Sequence, residues 1–149
     1  MLDRPDKPSW TRLFSFRERA GRREYWRLLG LTVLAGIGIS ALALVPGGQI
    51  IGLPLSLAAN VVQWAVIARR LHDLGRSGWW QVPATALGMA AAVNILSMGP
   101  EGIEKNAGMA GAMLLSMTLY FLFLAVVGAV RGEPVANRWG EPPAQAPRA

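Results

Sequence analysis

Long uncharged stretches alternate along the chain with short segments that carry nearly all of its charge. No Asp, Glu, Lys, Arg or His occurs in residues 28–67, 79–100 or 107–130. A helix at the surface of a soluble protein presents a charged or polar face to water, and these stretches contain no charge from which to build one. Because a helix needs roughly 20 mostly apolar residues to cross a bilayer, each stretch indicates membrane-spanning helices.

The first stretch is long enough for two spans, and the turn-forming residues Pro46-Gly47-Gly48-Gln49 divide it. The sequence therefore predicts an all-α fold. We expect an integral membrane bundle of four transmembrane helices, at about residues 28–45, 50–68, 79–98 and 108–130.

Polar segments precede and follow the predicted bundle. Residues 1–27 are rich in basic and aromatic side chains, and from Trp10 a short amphipathic part is expected to lie along the membrane surface. Ala20-Gly21 interrupts that part, so we expect the first helix to begin near Arg22. Residues 131–149 form a polar tail, and its proline-rich end is expected to be disordered.

The basic residues predict the orientation. Of the 15 Lys and Arg, eight precede residue 28, three lie between the second and third spans, and three lie in the tail. Short loops rich in Lys and Arg stay cytoplasmic, so the sequence predicts a multi-pass protein with both termini in the cytoplasm. Four tryptophans fall near the same interface, and we interpret them as membrane-interface anchors: Trp26, Trp64, Trp79 and Trp80.

The N-terminal part also has features of a cleavable export signal, because basic residues precede an apolar run and Ala41-Leu42-Ala43. The apolar run continues through Leu44-Val45, however, and a tight turn leads directly into another hydrophobic stretch. We therefore expect the first helix to be retained.

Composition narrows the chemistry. A net charge of +6 would suggest nucleic acid in a soluble chain, whereas here it indicates attraction to anionic lipid headgroups, and no nucleic-acid partner is expected. The absence of cysteine excludes thiolate metal sites, disulfides and cysteine catalysis. A single histidine cannot form an ordinary zinc site. We expect no metal and no cofactor, and we assign no catalytic residue.

A polar segment, residues 69–80 (Arg-Arg-Leu-His-Asp-Leu-Gly-Arg-Ser-Gly-Trp-Trp, the central segment), separates the second and third predicted spans. The second helix is expected to continue to about Asp73. That residue then lies three positions after Arg70 and four after Arg69, so one helix face can pair internally. Gly75 suits the C-terminal cap of this helix.

The central segment resembles the signature of the domain-of-unknown-function 805 family of small bacterial inner-membrane proteins. Residues 14–26 (Phe-Ser-Phe-Arg-Glu-Arg-Ala-Gly-Arg-Arg-Glu-Tyr-Trp) resemble the family's aromatic, arginine-rich first motif. Residues 137–143 (Asn-Arg-Trp-Gly-Glu-Pro-Pro) resemble its closing motif. The resemblance extends from about Trp10 to Pro143 and implies the bacterial inner (plasma) membrane. It implies no activity, because the family has no established one.

The three motifs are all expected on the cytoplasmic side, where they could converge. Candidate binding residues come from all three: Arg19, Arg22, Arg23, Arg69, Arg70, His72, Asp73, Arg76, Asn137 and Arg138. Our leading hypothesis is a noncatalytic module whose arginine-rich face binds anionic lipid headgroups or an acidic partner, since arginine forms bidentate contacts with phosphate. The alternative is that these arginines only fix the topology and pair with Glu24 and Asp73.

Two other function classes remain open. A small-molecule transporter or channel would need an oligomer to enclose a pore, and the predicted spans contain no ionisable group. A membrane enzyme using His72 is disfavoured because adjacent helical residues point about 100° apart, so Asp73 would not orient the imidazole. Small residues one turn apart, such as Gly36 and Ser40, suggest packing within the bundle or between copies. We therefore also consider a homo-oligomer or an unidentified membrane partner.

Overall fold

The computed structural model describes residues 9–42, 44–105 and 107–143, without the side chains of residues 9–10 and 94–105. Apart from one isolated bridge between Asn137 and Gly140, the regular structure of these residues is helical, which confirms the all-α prediction. The elements follow in chain order: a 3-10 helix Ser9–Phe14, α1 Arg22–Leu42, α2 Gly48–Asp73, a second 3-10 helix Gly78–Gln81, α3 Val82–Lys105 and α4 Ala107–Ala129.

The first two helices begin and end where local chemistry indicates. In α1 the amide of Tyr25 donates to the carbonyl of Gly21 at 2.9 Å, so the helix starts at the expected position. Glu24 lies in its first turn, where a negative charge stabilises the helix dipole. Gly47, with φ of 77°, forms the left-handed turn before α2, and α2 continues to Asp73 as predicted.

The third helix differs from the predicted span. A 3-10 turn occupies the positions from residue 78, and α3 begins at Val82. Pro83 then falls in the first helical turn. Amide groups in that turn have no partner within the helix, so the missing amide hydrogen of proline costs no hydrogen bond. The backbone stays helical through Lys105, beyond the predicted end at residue 98.

Three helices of the described residues are long and apolar enough to cross a membrane: α1, α2 and α4. A membrane span in α3, and with it the total of four spans, stays a prediction. Hydroxyl groups on these helices bond to carbonyls of their own backbone, as Ser40 does to Gly36 and Ser116 to Ala112, each at 2.8 Å. Such bonds satisfy these hydroxyl groups within their own helix, as a hydrocarbon environment favours.

The chain forms two compact units, one made of Met1–Gly78 and Arg131–Ala149 and the other of Trp79–Val130. The predicted division into an N-terminal segment (residues 1–27), a membrane domain (28–130) and a tail (131–149) stays a prediction. In the first unit α1 packs against α2, and Gly52 lies against Ile39. In the second unit α3 packs against α4, and Gly88 lies against the ring of Tyr120. The predicted disordered end lies largely in residues 144–149, outside the described residues.

Burial in the first unit is concentrated at one end of α2. Residues 65–73 are all buried, whereas many apolar side chains nearer the middle of α1 and α2 are exposed. Arg69 and Arg70 are among the largest fully buried side chains. The best-packed region of this unit is therefore also its most polar, and it contains the first part of the central segment, residues 69–73.

Candidate functional site

The last turn of α2 ends in a Schellman cap. The amide of Gly75 donates to the carbonyl of His72 at 3.1 Å, and that of Arg76 to Leu71 at 2.8 Å. Gly75 has φ of 71°, a left-handed conformation that side chains with a Cβ disfavour. The predicted capping role of Gly75 is confirmed.

The segment after α4 supplies donors to the carbonyls of this turn. The amide of Glu133 donates to the carbonyl of Asp73 at 2.8 Å, and the side-chain amide of Asn137 donates to that of His72 at 3.0 Å. The last carbonyls of a helix lack partners within the helix. Residues 131–143 therefore help to complete the end of α2.

The segment before α1 reaches the same turn through Ala20, which is fully buried. Its amide donates to the carbonyl of Arg69 at 3.1 Å, and its carbonyl accepts from Arg70 Nη1 at 3.3 Å. The three sequence motifs are thus brought together in one unit, around the end of α2.

The carboxylate of Asp73 lies between two buried guanidinium groups. Its Oδ1 accepts from Arg19 Nε at 3.1 Å and from Arg19 Nη2 at 2.9 Å, and its Oδ2 accepts from Arg70 Nη1. Arg19 and Arg70 are 6% and 1% exposed, and Asp73 is 4% exposed. Two donors of Arg19 thus share one carboxylate oxygen, and charge-assisted bonds of this kind are stronger than bonds between neutral groups.

The remaining donors of Arg19 bind the backbone of the C-terminal segment. Nη1 donates to the carbonyls of Val135 at 2.8 Å and Gly140 at 3.2 Å, and Nη2 also donates to that of Glu133. A guanidinium group offers five donors in a planar fork, so one side chain can join three segments. Arg19 therefore links the N-terminal segment, α2 and residues 131–143.

Asn137 organises the closing turn that faces Arg19. Its Nδ2 donates to Glu133 Oε2 at 2.8 Å, and its Oδ1 accepts from the amide of Trp139 at 3.0 Å. Its backbone exchanges two hydrogen bonds with Gly140, at 3.1 and 2.9 Å. Five side chains share this network, and we name them the Asp73 cluster: Arg19, Arg70, Asp73, Glu133 and Asn137.

Two glycines allow the segments to approach this closely. A Cβ at residue 132 would collide with the carboxylate of Asp73, and a Cβ at Gly75 would collide with that of Glu133. Gly132 is therefore required by space, and Gly75 by both space and its positive φ.

Arg69 lies beside the cluster but pairs elsewhere. Its Nη1 donates to Glu24 Oε1 at 2.8 Å, and its side chain is 1% exposed. Its Nε and Nη2 have no hydrogen-bond partner among the described residues. The alternative hypothesis, that the arginines pair with Glu24 and Asp73, expects ion pairs at both carboxylates. Both are present in the structure.

The imidazole of His72 stacks on a tryptophan. Its ring centre lies 4.5 Å from that of Trp139, with 11° between the planes, and its Nδ1 is 3.4 Å from the carbonyl oxygen of Glu18. The guanidinium carbon of Arg138 lies 3.8 Å from the centre of the Trp139 ring. The carboxylate of Asp73 bonds to arginines, so this geometry supplies no aspartate-oriented histidine of the kind that acts in acid–base catalysis. Within the described residues, no group of three or more His, Cys, Asp or Glu is placed to hold a metal ion.

The other predicted binding residues lie at the surface. Arg22 and Arg23 are exposed in the first turn of α1, Arg76 is exposed after the Schellman cap, and Arg138 is exposed on its tryptophan. Arg12, Arg17, Arg27 and Arg131 are exposed as well. The arginines therefore divide into a buried set with internal partners and an exposed set.

The predicted interface anchors have the exposure that such a role needs. Trp26, Trp79 and Trp80 are exposed, and Trp64 is half-buried. The ring of Trp26 also packs edge-on against that of the buried Tyr25, with 5.3 Å between ring centres.

Sequence reasoning missed Glu133 and Gly132, and it took Trp139 only as part of a motif. The one signal that could have pointed to the first two is the Gly-Glu-Pro step at residues 132–134, just after the third uncharged stretch, a turn placed beside the predicted interface. Nothing in the spacing indicates which carbonyl or carboxylate these residues approach.

The family model described as "Protein of unknown function (DUF805)" matches residues 13–141. The uncharacterized protein YiiR of Escherichia coli (strain K12) is 38% identical over 72 residues, which cover 46% of this chain and 47% of YiiR. The inner membrane protein YhaH of the same strain is 34% identical over 71 residues, which cover 44% of this chain and 59% of YhaH. The chain thus spans about half the length of these relatives. No solved structure matches it.

Proposed function

The chain belongs to the DUF805 family, whose function is unknown, and from that premise we propose a noncatalytic, multi-pass module of the bacterial inner membrane that binds anionic lipid headgroups. Both termini and the Asp73 cluster lie on the cytoplasmic side. The Asp73 cluster holds the motifs together, and the exposed arginines make the contacts with lipid.

The membrane location is supported by two independent features. A relative is named an inner membrane protein, and three helices of the described chain are long and apolar enough to cross a bilayer. All of the basic residues except Lys105 fall on one side of the predicted spans, which favours cytoplasmic termini.

The division of the arginines carries the binding proposal. The guanidinium groups of Arg19 and Arg70 are buried against Asp73, whereas the exposed arginines are spread along the three motifs and their flanks. Each basic residue near an anionic membrane surface contributes about 1 kcal/mol of attraction. Arg19, Arg70 and Asp73 accordingly act as positioning residues, and Arg22, Arg23, Arg76 and Arg138 as candidate headgroup contacts.

The test is the lipid composition retained by the purified full-length protein. The protein is extracted from vesicles of phosphatidylglycerol and phosphatidylethanolamine, and the lipids that remain bound are quantified by mass spectrometry. We expect phosphatidylglycerol to be enriched over its share in the vesicles. The enrichment should fall in a variant with glutamine at Arg23, Arg76 and Arg138, three exposed candidate contacts. Retained lipid with the same composition as the vesicles would contradict the proposal.

A further inference from the structure

A pocket of about 220 Å³ opens in the first unit beside the start of α1. Its charged lining consists of three arginines and one carboxylate, from Arg12, Arg27, Arg69 and Glu24. Arg12 and Arg27 are exposed, and Arg12 Nε is 3.1 Å from Glu18 Oε2. Glu18 does not line the pocket, so the lining carries three positive charges and one negative charge.

Arg69 shows that the polar side of this pocket is incomplete. Its side chain is 1% exposed, and only Nη1 has a partner, Glu24. The donors Nε and Nη2 are buried and bond to none of the described residues. A buried donor without a partner costs free energy, and more so on a charged group. Both atoms are closed to solvent, so an acceptor in the pocket would remove this cost if the Arg69 guanidinium turned toward it.

The other part of the lining is apolar. It consists of Leu13, Leu28 and Leu31. Leu28 and Leu31 lie at the beginning of the uncharged stretch of α1. Leu31 is 58% exposed. The pocket thus changes from arginine to leucine along α1, at the level where the chain changes from charged to uncharged.

We propose that this pocket binds the phosphate group of one anionic phospholipid, with the beginning of an acyl chain against Leu28 and Leu31. The inference rests on the proposed function and names the residues of one specific site within it. Arg12 and Arg27 contact the phosphate at the surface, and Arg69 closes the site from within the protein.

Size and chemistry favour this ligand. Pockets for drug-sized ligands measure roughly 300–1,000 Å³, so this smaller pocket admits a compact group. Phosphate oxygens match the planar fork of arginine. The leucines favour a phosphate attached to a lipid over a free phosphate, because a free ion would gain nothing from apolar surface.

Two double variants with the same change in charge test the site. Arg12→Gln with Arg27→Gln removes two exposed arginines of the pocket, and Arg17→Gln with Arg131→Gln removes two exposed arginines outside it. The full-length protein in detergent is titrated with fluorescent phosphatidylglycerol, with phosphatidylcholine as the reference lipid. Equal unfolding temperatures show that both variants are folded.

The pocket variant should bind phosphatidylglycerol about tenfold more weakly than the wild type, or weaker still, because it loses two charge-assisted contacts. The affinity of the matched variant for phosphatidylglycerol should change by less than about twofold. This small change is expected because salt screens charges that do not contact the lipid directly. Deacylated glycerophosphoglycerol should compete poorly, because it lacks the chain.

Three results would overturn the inference. Equal weakening in both variants would refute the pocket and leave a diffuse arginine surface, as in the proposed function. Competition by glycerophosphoglycerol as strong as that of the intact lipid would assign the site to a soluble phosphate compound. No preference of the wild type for phosphatidylglycerol over phosphatidylcholine would refute the proposed function itself.

Discussion

Replacing Asp73 by asparagine should destabilise the first unit more than any surface change of the same size. The substitution keeps the shape of the side chain but removes the charge that faces Arg19 and Arg70, both almost fully buried. It also leaves one neutral acceptor oxygen where two charged ones stood, and it places an amide donor against one of the guanidinium groups. Removing one partner of a buried ion pair costs about 3–5 kcal/mol, a large part of the roughly 5–15 kcal/mol that stabilises a typical domain.

The measurement is the unfolding free energy of the purified protein, followed by denaturant titration in detergent. Glu18→Gln is the matched control, because the Arg12–Glu18 pair is exposed, with side chains 60% and 42% accessible. Exposed pairs contribute about 0.2–1 kcal/mol. The variant at Asp73 should also release residues 131–143, so trypsin should cut after Arg131 sooner than in the wild type.

A loss below about 1 kcal/mol for Asp73→Asn, no larger than that of the control, would refute the reasoning. A double-mutant cycle with Arg19→Gln separates the pair from its surroundings. The loss in the double variant should be clearly smaller than the sum of the two single losses, because the second change removes a guanidinium group that has already lost its charged partner.

Three further changes test other parts of the same arrangement by their effect on unfolding and on the histidine signal. Arg19→Lys should cost about 2–3 kcal/mol in the unfolding titration, because an ammonium group cannot reproduce the fork that holds Asp73 and the backbone carbonyls. Gly132→Ala should cost about 1–3 kcal/mol through collision with the carboxylate of Asp73, whereas Gly30→Ala, with open space around it, should be neutral or stabilising. Trp139→Ala should abolish the ring-current shift of the imidazole proton resonances, which are easily assigned because the chain has one histidine; an unchanged spectrum would argue against the stack.

Local features of the fold could be predicted from the sequence because each depends on neighbouring residues. The start of α1 at Arg22 and the extension of α2 to Asp73 followed from charge and glycine positions. The pairing of Arg70 with Asp73 followed from a spacing of three residues on a helix. Gly75 was identified because a helix end needs a residue that accepts positive φ.

Long-range pairing could not be predicted. Arg19 and Asp73 are separated by 54 positions, and no periodicity connects them. The same spacing argument that paired Arg70 with Asp73 applied equally to Arg69, yet Arg69 pairs with Glu24 instead. In the folded unit Asp73 is occupied by two other guanidinium groups, which a helix considered by itself cannot reveal.

The burial of the arginines could not be anticipated either. Arginine is rarely buried without a partner, so the sequence suggested that the motif arginines faced solvent or lipid. Their partners are partly backbone carbonyls, as the contacts of Arg19 with Val135 and Gly140 illustrate. Any residue can supply a carbonyl, so the sequence contains no signal for such contacts.

The central claim is that the three motifs form one cluster on the cytoplasmic face, and the absence of cysteine from the chain allows a direct test. Single cysteines are placed at the exposed positions Gln49, Arg76 and Ala136, and intact cells are treated with a thiol reagent that cannot cross the inner membrane. The account predicts labelling at residue 49 in intact cells, and at residues 76 and 136 only after the membrane is opened. Labelling of residue 76 in intact cells, with residue 49 protected, would contradict it.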